Sequence, residues 1–268
     1  MTPTSGFLLL DKPAGITSHD AVDRIRRILG CAGRKARSAC RVGHAGTLDP
    51  FATGLLIIGI GKATKQLQEI VGLDKTYEAV ARLGATSTTD DLEGEIAEMA
   101  IGNRLTSNGR SNASLTESPL DSARGRLQPR VESRLIPTLS DLERTIDSFR
   151  GAYAQTAPAF SAKKVGGNKL YELARKGKID TVERPIKEVT IHELVMTKYE
   201  WPDLAFRVSC SSGTYVRALA RDIGEKLGCG AYLTALRRTS IGPYRVDNAV
   251  RLEGLDNNTV NEKMIGPS

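Results

Sequence analysis

Asp49 is the lone carboxylate in the stretch Gly43-His44-Ala45-Gly46-Thr47-Leu48-Asp49-Pro50-Phe51-Ala52-Thr53-Gly54, whose other residues are mostly small, apolar or backbone-special. Glycine tolerates positive φ and proline fixes φ, so Gly43, Gly46, Pro50 and Gly54 mark a backbone held in an unusual shape. The apolar run Leu55-Leu56-Ile57-Ile58-Gly59-Ile60 follows directly and reads as a buried strand. The pattern puts a charged group on a rigid loop against the core. Burying such a carboxylate is costly unless it is paired or its reactivity is its purpose.

Three other segments carry residue types that do chemistry. Ser211-Ser212-Gly213-Thr214-Tyr215-Val216-Arg217 lies where an apolar strand turns into a helix. Helix N-termini favour anions, although the same pattern suits an ordinary N-cap followed by a surface arginine. Lys75-Thr76-Tyr77-Glu78 puts an aromatic at the start of a strand, where Tyr77 either fills the core or offers a stacking face to a base. His44 reads as a satisfied loop histidine, a general base or an RNA contact. Gly59-Ile60-Gly61-Lys62-Ala63 fails as a phosphate loop, because Leu56 stands where a glycine is needed and Ala63 where a serine or threonine is needed.

The elements that must position these groups follow from periodicity. Residues 7–10 read as a strand, and Thr17 or Ser18 can cap a helix carrying Val22, Ile25, Ile28 and Leu29. A helix is expected over about 62–71 and an alternating strand over 75–83. Ser140 can cap a helix with Leu142, Ile146 and Phe149 inward. Strands are expected near 186–199 and 204–210, and a helix from about 212–214 with Val216, Leu219, Ile223 and Leu227 buried. Strands and helices alternate without a βαβ rhythm, so the fold class is α+β.

Two segments differ in kind. Residues 101–135 are rich in Ser, Asn, Gly, Pro and Arg and read as a flexible insertion, with Arg104, Arg110, Arg124, Arg126, Arg130 and Arg134 as its cations. Residues 155–185 form a basic segment with Lys163, Lys164, Lys169, Arg175, Lys176, Lys178 and Arg184. The 268 residues carry a net charge of +7, which suits a polyanionic partner. Apolar runs are too short to span a bilayer. Cys31, Cys40, Cys210 and Cys229 show no zinc-like spacing with His19, His44 or His192, so reduced core thiols and no metal are expected.

Taken in order, these motifs resemble the TruB family of tRNA pseudouridine synthases over residues 6–100 and 137–252. Gly6-Phe7-Leu8-Leu9-Leu10-Asp11-Lys12-Pro13 is similar to that family's opening strand. The Asp49 stretch is similar to its catalytic loop, Lys75-Thr76-Tyr77 to its aromatic motif, Ser211 to Arg217 to its arginine motif, and Leu236-Arg237-Arg238 to its late motif. The resemblance implies a pseudouridine-synthase fold, with a central mixed, mostly antiparallel sheet flanked by helices. It implies a catalytic domain over 1–252, a basic thumb at 155–185 and a short tail at 253–268.

It also implies a reaction: isomerising the T-loop uridine of tRNA at position 55 to pseudouridine. The uridine must flip out of its loop, the C1′–N1 bond breaks, and C1′ joins C5. No cofactor is needed. The resemblance assigns Asp49 as nucleophile or base, Arg217 as its ion-pair partner and Tyr77 as the stacking residue. It gives His44 to the T loop, Tyr215 and Leu236 to the pocket wall, and Lys163 and Lys164 to RNA phosphates. Lys12 reads as structural or as a backbone contact. The implied setting is a cytoplasmic monomer acting on tRNA, with no membrane.

The chain departs from the pattern at its end. Only about 30 residues follow Arg238, too few for a complete RNA-binding module of the PUA type. Residues 257–268 are expected to be disordered. The alternatives are an RNA-binding or tRNA-folding module, and a guide-RNA-dependent rRNA pseudouridine synthase.

Overall fold

The computed structural model describes residues 5–31, 41–99, 101–102, 134–161 and 163–266. Its centre is a ten-stranded mixed sheet, and the fold is α+β. The N-terminal half is built from β1 (Gly6–Lys12), β2 (Val42–Ala45) and β3 (Thr53–Ile60), whose apolar runs are almost wholly buried. Helix α1 (Ser18–Ile28) is held by a capping box, in which Thr17 Oγ1 accepts from Asp20 N at 3.0 Å and Asp20 accepts from Thr17 N at 2.9 Å. It lays Ala21, Val22 and Ile25 on Leu8, Leu10, Leu56 and Ile58.

The C-terminal half contains β4 (Lys75–Leu83), β5 (Gly151–Thr156), β6 (Ile186–Glu200), β7 (Asp203–Cys210) and β8 (Ala231–Ile241). The short strands β9 (Tyr244–Arg245) and β10 (Val250–Arg251) complete the sheet. Its order is β10-β1-β3-β8-β4-β7-β6-β5, with β2 on β3 and β9 on β8. Only β1–β10 and β3–β8 pair in parallel among its described neighbours. Helices α3 (Leu139–Asp147) and α5 (Val216–Lys226) cover one face, where Leu219, Ala220 and Ile223 meet Ala79, Phe206 and Val208.

The junction of the halves positions the site. One edge of β3 pairs with β1. Its other edge is divided, pairing with β2 over Ile57–Ile60 and with β8 at Thr53 and Gly54. The loop 46–52 leaves the sheet at this division. The basic segment 155–185 springs from a comparable place, between paired Thr156 and Ile186 on β5 and β6. It folds into a small hairpin (Lys164–Val165 with Asn168–Lys169) followed by α4 (Leu170–Arg175).

Several boundaries differ from the sequence expectation. Residues 61–72 divide into a 3₁₀ turn over Gly61–Gln66 and α2 (Leu67–Gly72), rather than one helix. Thr138, not Ser140, caps α3, because its hydroxyl accepts from Asp141 N while Asp141 returns the bond. Helix α5 begins at Val216, and no side chain caps its Tyr215. Gln155 instead accepts from Tyr215 N at 2.8 Å and donates to Tyr215 O at 3.0 Å.

The tail is also ordered up to residue 266, contrary to expectation. Asp256 caps α6 (Asn257–Lys263), Val260 is fully buried, and Ile265 exchanges two 2.9 Å backbone bonds with Phe7. Cys31 is disulfide-bonded, so the expectation of reduced thiols fails there, while Cys210 is a buried free thiol. Of the insertion 101–135, Ile101–Gly102 and Arg134–Leu135 pair in parallel, and residues 103–133 lie outside the described residues. The basic residues Arg34, Lys35 and Arg37 also lie outside them.

Candidate active site

The Asp49 loop is fixed from three sides by buried polar groups. Ser18 Oγ at the start of α1 donates to Leu48 O at 3.0 Å and accepts from Leu48 N at 2.9 Å. Lys12 is fully buried, and its ammonium donates to Pro13 O and Ile16 O at 2.8 Å and to Pro50 O at 3.2 Å. Burial pushes the Lys12 pKa down to about 8, opposed by the Asp49 charge. Buried Arg238 on β8 donates to Leu55 O at 2.8 Å and Gly46 O at 3.1 Å. Two cations thus satisfy carbonyl groups that an irregular buried backbone would otherwise leave unpaired.

Arg217 sits one residue inside α5 and is only 7% exposed, whereas Asp49 remains 32% exposed. Its Nε donates to Asp49 Oδ2 at 2.9 Å and its Nη2 to Oδ1 at 3.3 Å, a two-pronged fork that fixes the carboxylate plane. The remaining donors are taken up as well. Nη1 reaches Thr89 O at 2.8 Å and Asp91 Oδ2 at 3.2 Å, and Nη2 reaches Phe160 O at 3.2 Å. Asp91 is 3% exposed and accepts also from Glu93 N at 2.9 Å. A guanidinium so constrained has little freedom to turn away from Asp49.

These groups border a cleft of about 340 Å³. Tyr77 from β4 and Leu236 from β8 come from the sheet, Tyr215 and Val216 from the entry to α5, and Phe160, Ser161 and Tyr171 from the thumb segment. Tyr77 is buried, and that burial raises its phenol pKa. Burial raises that of Tyr215 too. Lys75, on the same wall, is pushed down to about 8 by burial and donates to the carbonyls of Val71 and Leu73.

Asp49, Tyr77, Arg217, Tyr215 and Leu236, all singled out in the sequence, line this one cleft. His44 is not on the cleft wall. It lies on β2, edge-on to His19 of α1 with ring centroids 5.5 Å apart. Burial, with smaller contributions from the nearby His19 and Arg238 charges, pushes its pKa down to about 4. Lys163 and Lys164 are exposed on the thumb hairpin, outside the cleft. Sequence reasoning missed Asp91, Gln155 and the thumb's Phe160, Ser161 and Tyr171. The adjacent acids Asp90-Asp91, in the turn after the short strand Ala85–Ser87, were a signal, since two neighbouring carboxylates next to the core call for a cation. Among the described residues, no group of three or more His, Cys, Asp or Glu side chains is placed to hold a metal ion. No helix among them is long and apolar enough to cross a membrane.

Comparison with known proteins bears on this geometry. Residues 34–117 and 116–216 match the TruB family pseudouridylate synthase N-terminal domain, and residues 217–265 match the tRNA pseudouridylate synthase B C-terminal domain. The chain is 42% identical over 258 residues to tRNA pseudouridine synthase B of Thermobifida fusca (strain YX), covering 93% of this chain and 74% of that protein. It is equally similar, at 42% over 258 residues, to tRNA pseudouridine synthase B of Burkholderia mallei (strain NCTC 10247), covering 96% of this chain and 71% of that protein. Its fold matches a chain from the crystal structure of a Cbf5-Nop10-Gar1 complex at a TM-score of 0.62 and 23% identity, covering 97% of this chain and 60% of that one. The sequence motifs, the sheet that carries them and these relatives agree: the chain belongs to the TruB family of pseudouridylate synthases.

Proposed function

We propose that this chain converts the T-loop uridine of tRNA at position 55 to pseudouridine, as a monomer and in the cytoplasm. The observation that carries this reading is the Asp49–Arg217 fork at the edge of a cleft walled by Tyr77 and Leu236. The relatives are named for tRNA pseudouridine synthesis, which supports tRNA as the substrate here.

The reaction breaks C1′–N1, turns the uracil and joins C1′ to C5. The C5 proton leaves and N1 gains one, so the base is isomerised with no atom lost. A uridine inside a folded loop must be flipped out to reach Asp49. Asp49 keeps an exposed carboxylate edge while Arg217 fixes its plane, an arrangement suited to attack on the sugar or to proton removal from it. Tyr77 offers its ring to the base. Burial disfavours its phenolate, which suits the ring to stacking and hydrogen-bond donation. Lys12 and Arg238 hold the loop, so the carboxylate meets the substrate already in position.

The test is direct. The chain alone is incubated with a T-stem-loop minihelix and with a full tRNA transcript, and pseudouridine is mapped. Modification confined to the T-loop uridine supports the reading. No modification, or modification elsewhere, contradicts it.

A further inference from the structure

The thumb carries an aromatic ring on the cleft wall that the roles above do not use. Tyr171 is the second residue of α4, and its half-buried ring shares the cleft with Asp49, Tyr77 and Arg217. Its place is fixed by its neighbours. Leu170 is fully buried, Leu170 N donates to Lys163 O at 2.8 Å, and Tyr171 N donates to Ser161 O at 3.2 Å. Two cations attend the ring. Lys169 Nζ donates to the Tyr171 hydroxyl at 3.3 Å, and the Arg175 guanidinium, one helical turn on, lies 5.5 Å from the ring centroid.

An aromatic ring on a cleft wall, with the Lys169 ammonium and the Arg175 guanidinium over it at 5.3 and 5.5 Å from its centroid, matches one nucleotide. The base stacks on the ring and the phosphate meets the cations. Tyr77 is buried deeper in the same cleft and is the face for the target base. We propose that Tyr171, Lys169 and Arg175 form a second nucleotide subsite, on the thumb, that takes a base neighbouring the target uridine. The subsite rests on the RNA-modifying reading above. It also separates two roles within the thumb: Lys163 and Lys164 are exposed outside the cleft, while Tyr171 faces into it.

The experiment is equilibrium binding of a labelled T-stem-loop minihelix to the full chain across a salt series, with pseudouridine formation followed for the unsubstituted protein. Tyr171→Leu keeps apolar bulk without a π face, and it is expected to bind about tenfold more weakly, whereas Tyr171→Phe stays within about twofold. Lys169→Gln and Arg175→Gln are each expected to reduce the salt slope by about one. With an abasic target residue, the Tyr171→Leu loss persists, because the subsite holds a different base. Three results overturn the proposal: Tyr171→Leu binding as tightly as the unsubstituted chain, Tyr171→Phe binding as weakly as Tyr171→Leu, or the loss disappearing with the target base. If the unsubstituted chain neither binds nor modifies the minihelix, the parent reading fails and the subsite with it. Normal modification with unaltered Tyr171→Leu binding removes the subsite alone.

Discussion

Gly54 lies directly against the backbone of Arg238, so closely that a Cβ there would sit 2.3 Å from the Arg238 carbonyl oxygen and 2.8 Å from its amide nitrogen. Gly54 also has φ +104°, a region that side-chain-bearing residues rarely enter. The two residues pair where β3 meets β8 in parallel, which is where the Asp49 loop rejoins the sheet.

Gly54→Ala therefore acts on stability and on the site together. The backbone conformation alone costs about 1–3 kcal/mol for a residue with a side chain, and the clash with Arg238 adds to it. A lowered urea midpoint with reduced turnover is expected. A variant with the parent midpoint and parent turnover would show that the junction accommodates a methyl group.

Arg217→Lys keeps a positive charge but loses the planar fork that meets both Asp49 oxygens. Turnover on a T-stem-loop minihelix is expected to fall by about 10²-fold or more, a loss typical of a misplaced catalytic group, with little change in RNA affinity. Equal losses in both quantities would mean that Arg217 mainly grips RNA. Arg217→Ala leaves buried Asp91 without its cation, so it is expected to destabilise the fold by about 3–5 kcal/mol.

His44 gives the fold a pH signature. Its pKa in the folded chain is about 4, below the ordinary 6.5, so between these values the unfolded chain binds a proton that the folded chain does not. The stability held by neutral His44 is fully present above pH 6.5 and is lost as pH falls toward 4. His44→Asn lacks this titration. Its urea midpoint is expected to drop less than that of the unsubstituted chain between neutral pH and the lower end of that window. Equal drops would place the acid sensitivity elsewhere.

Lys163 and Lys164 are exposed at the thumb hairpin, and the proposed function has them meet RNA phosphates. Substituting both with Gln is expected to weaken minihelix binding and reduce the slope of log affinity against log salt by about two. An unchanged slope removes them from the RNA interface.

The parts of this architecture with strong local patterns were legible in the sequence. The strands around Leu8 and Ile57 are continuous apolar runs, and β4 alternates buried and open side chains along its length. Strand β8 was not predicted, because Arg237-Arg238-Thr239-Ser240 has no strand-like polarity pattern. Its conformation comes from pairing with β4 along one edge and with β3 and β9 on the other. The tail was expected to be disordered on composition, yet Asp256 supplies a cap and Val260 an anchor to the core around Leu8. At the site, the pairing of Asp49 with Arg217 came from family motifs. The Asp91–Arg217 pair and the Gln155–Tyr215 link were not legible because each joins residues far apart in the chain, which no local pattern reports. His44 was expected to contact RNA, and its place beside His19, away from the cleft wall, required the packing of α1 on β2.

Single-turnover modification of a T-stem-loop minihelix by Asp49→Asn and by the unsubstituted chain, with binding measured in parallel, tests the central claim most directly. The substitution keeps the size of the side chain and removes its charge. The account predicts rapid pseudouridine formation by the unsubstituted chain, none detectable with Asp49→Asn, and similar RNA affinity for both. Pseudouridine formed by Asp49→Asn at a comparable rate would contradict it.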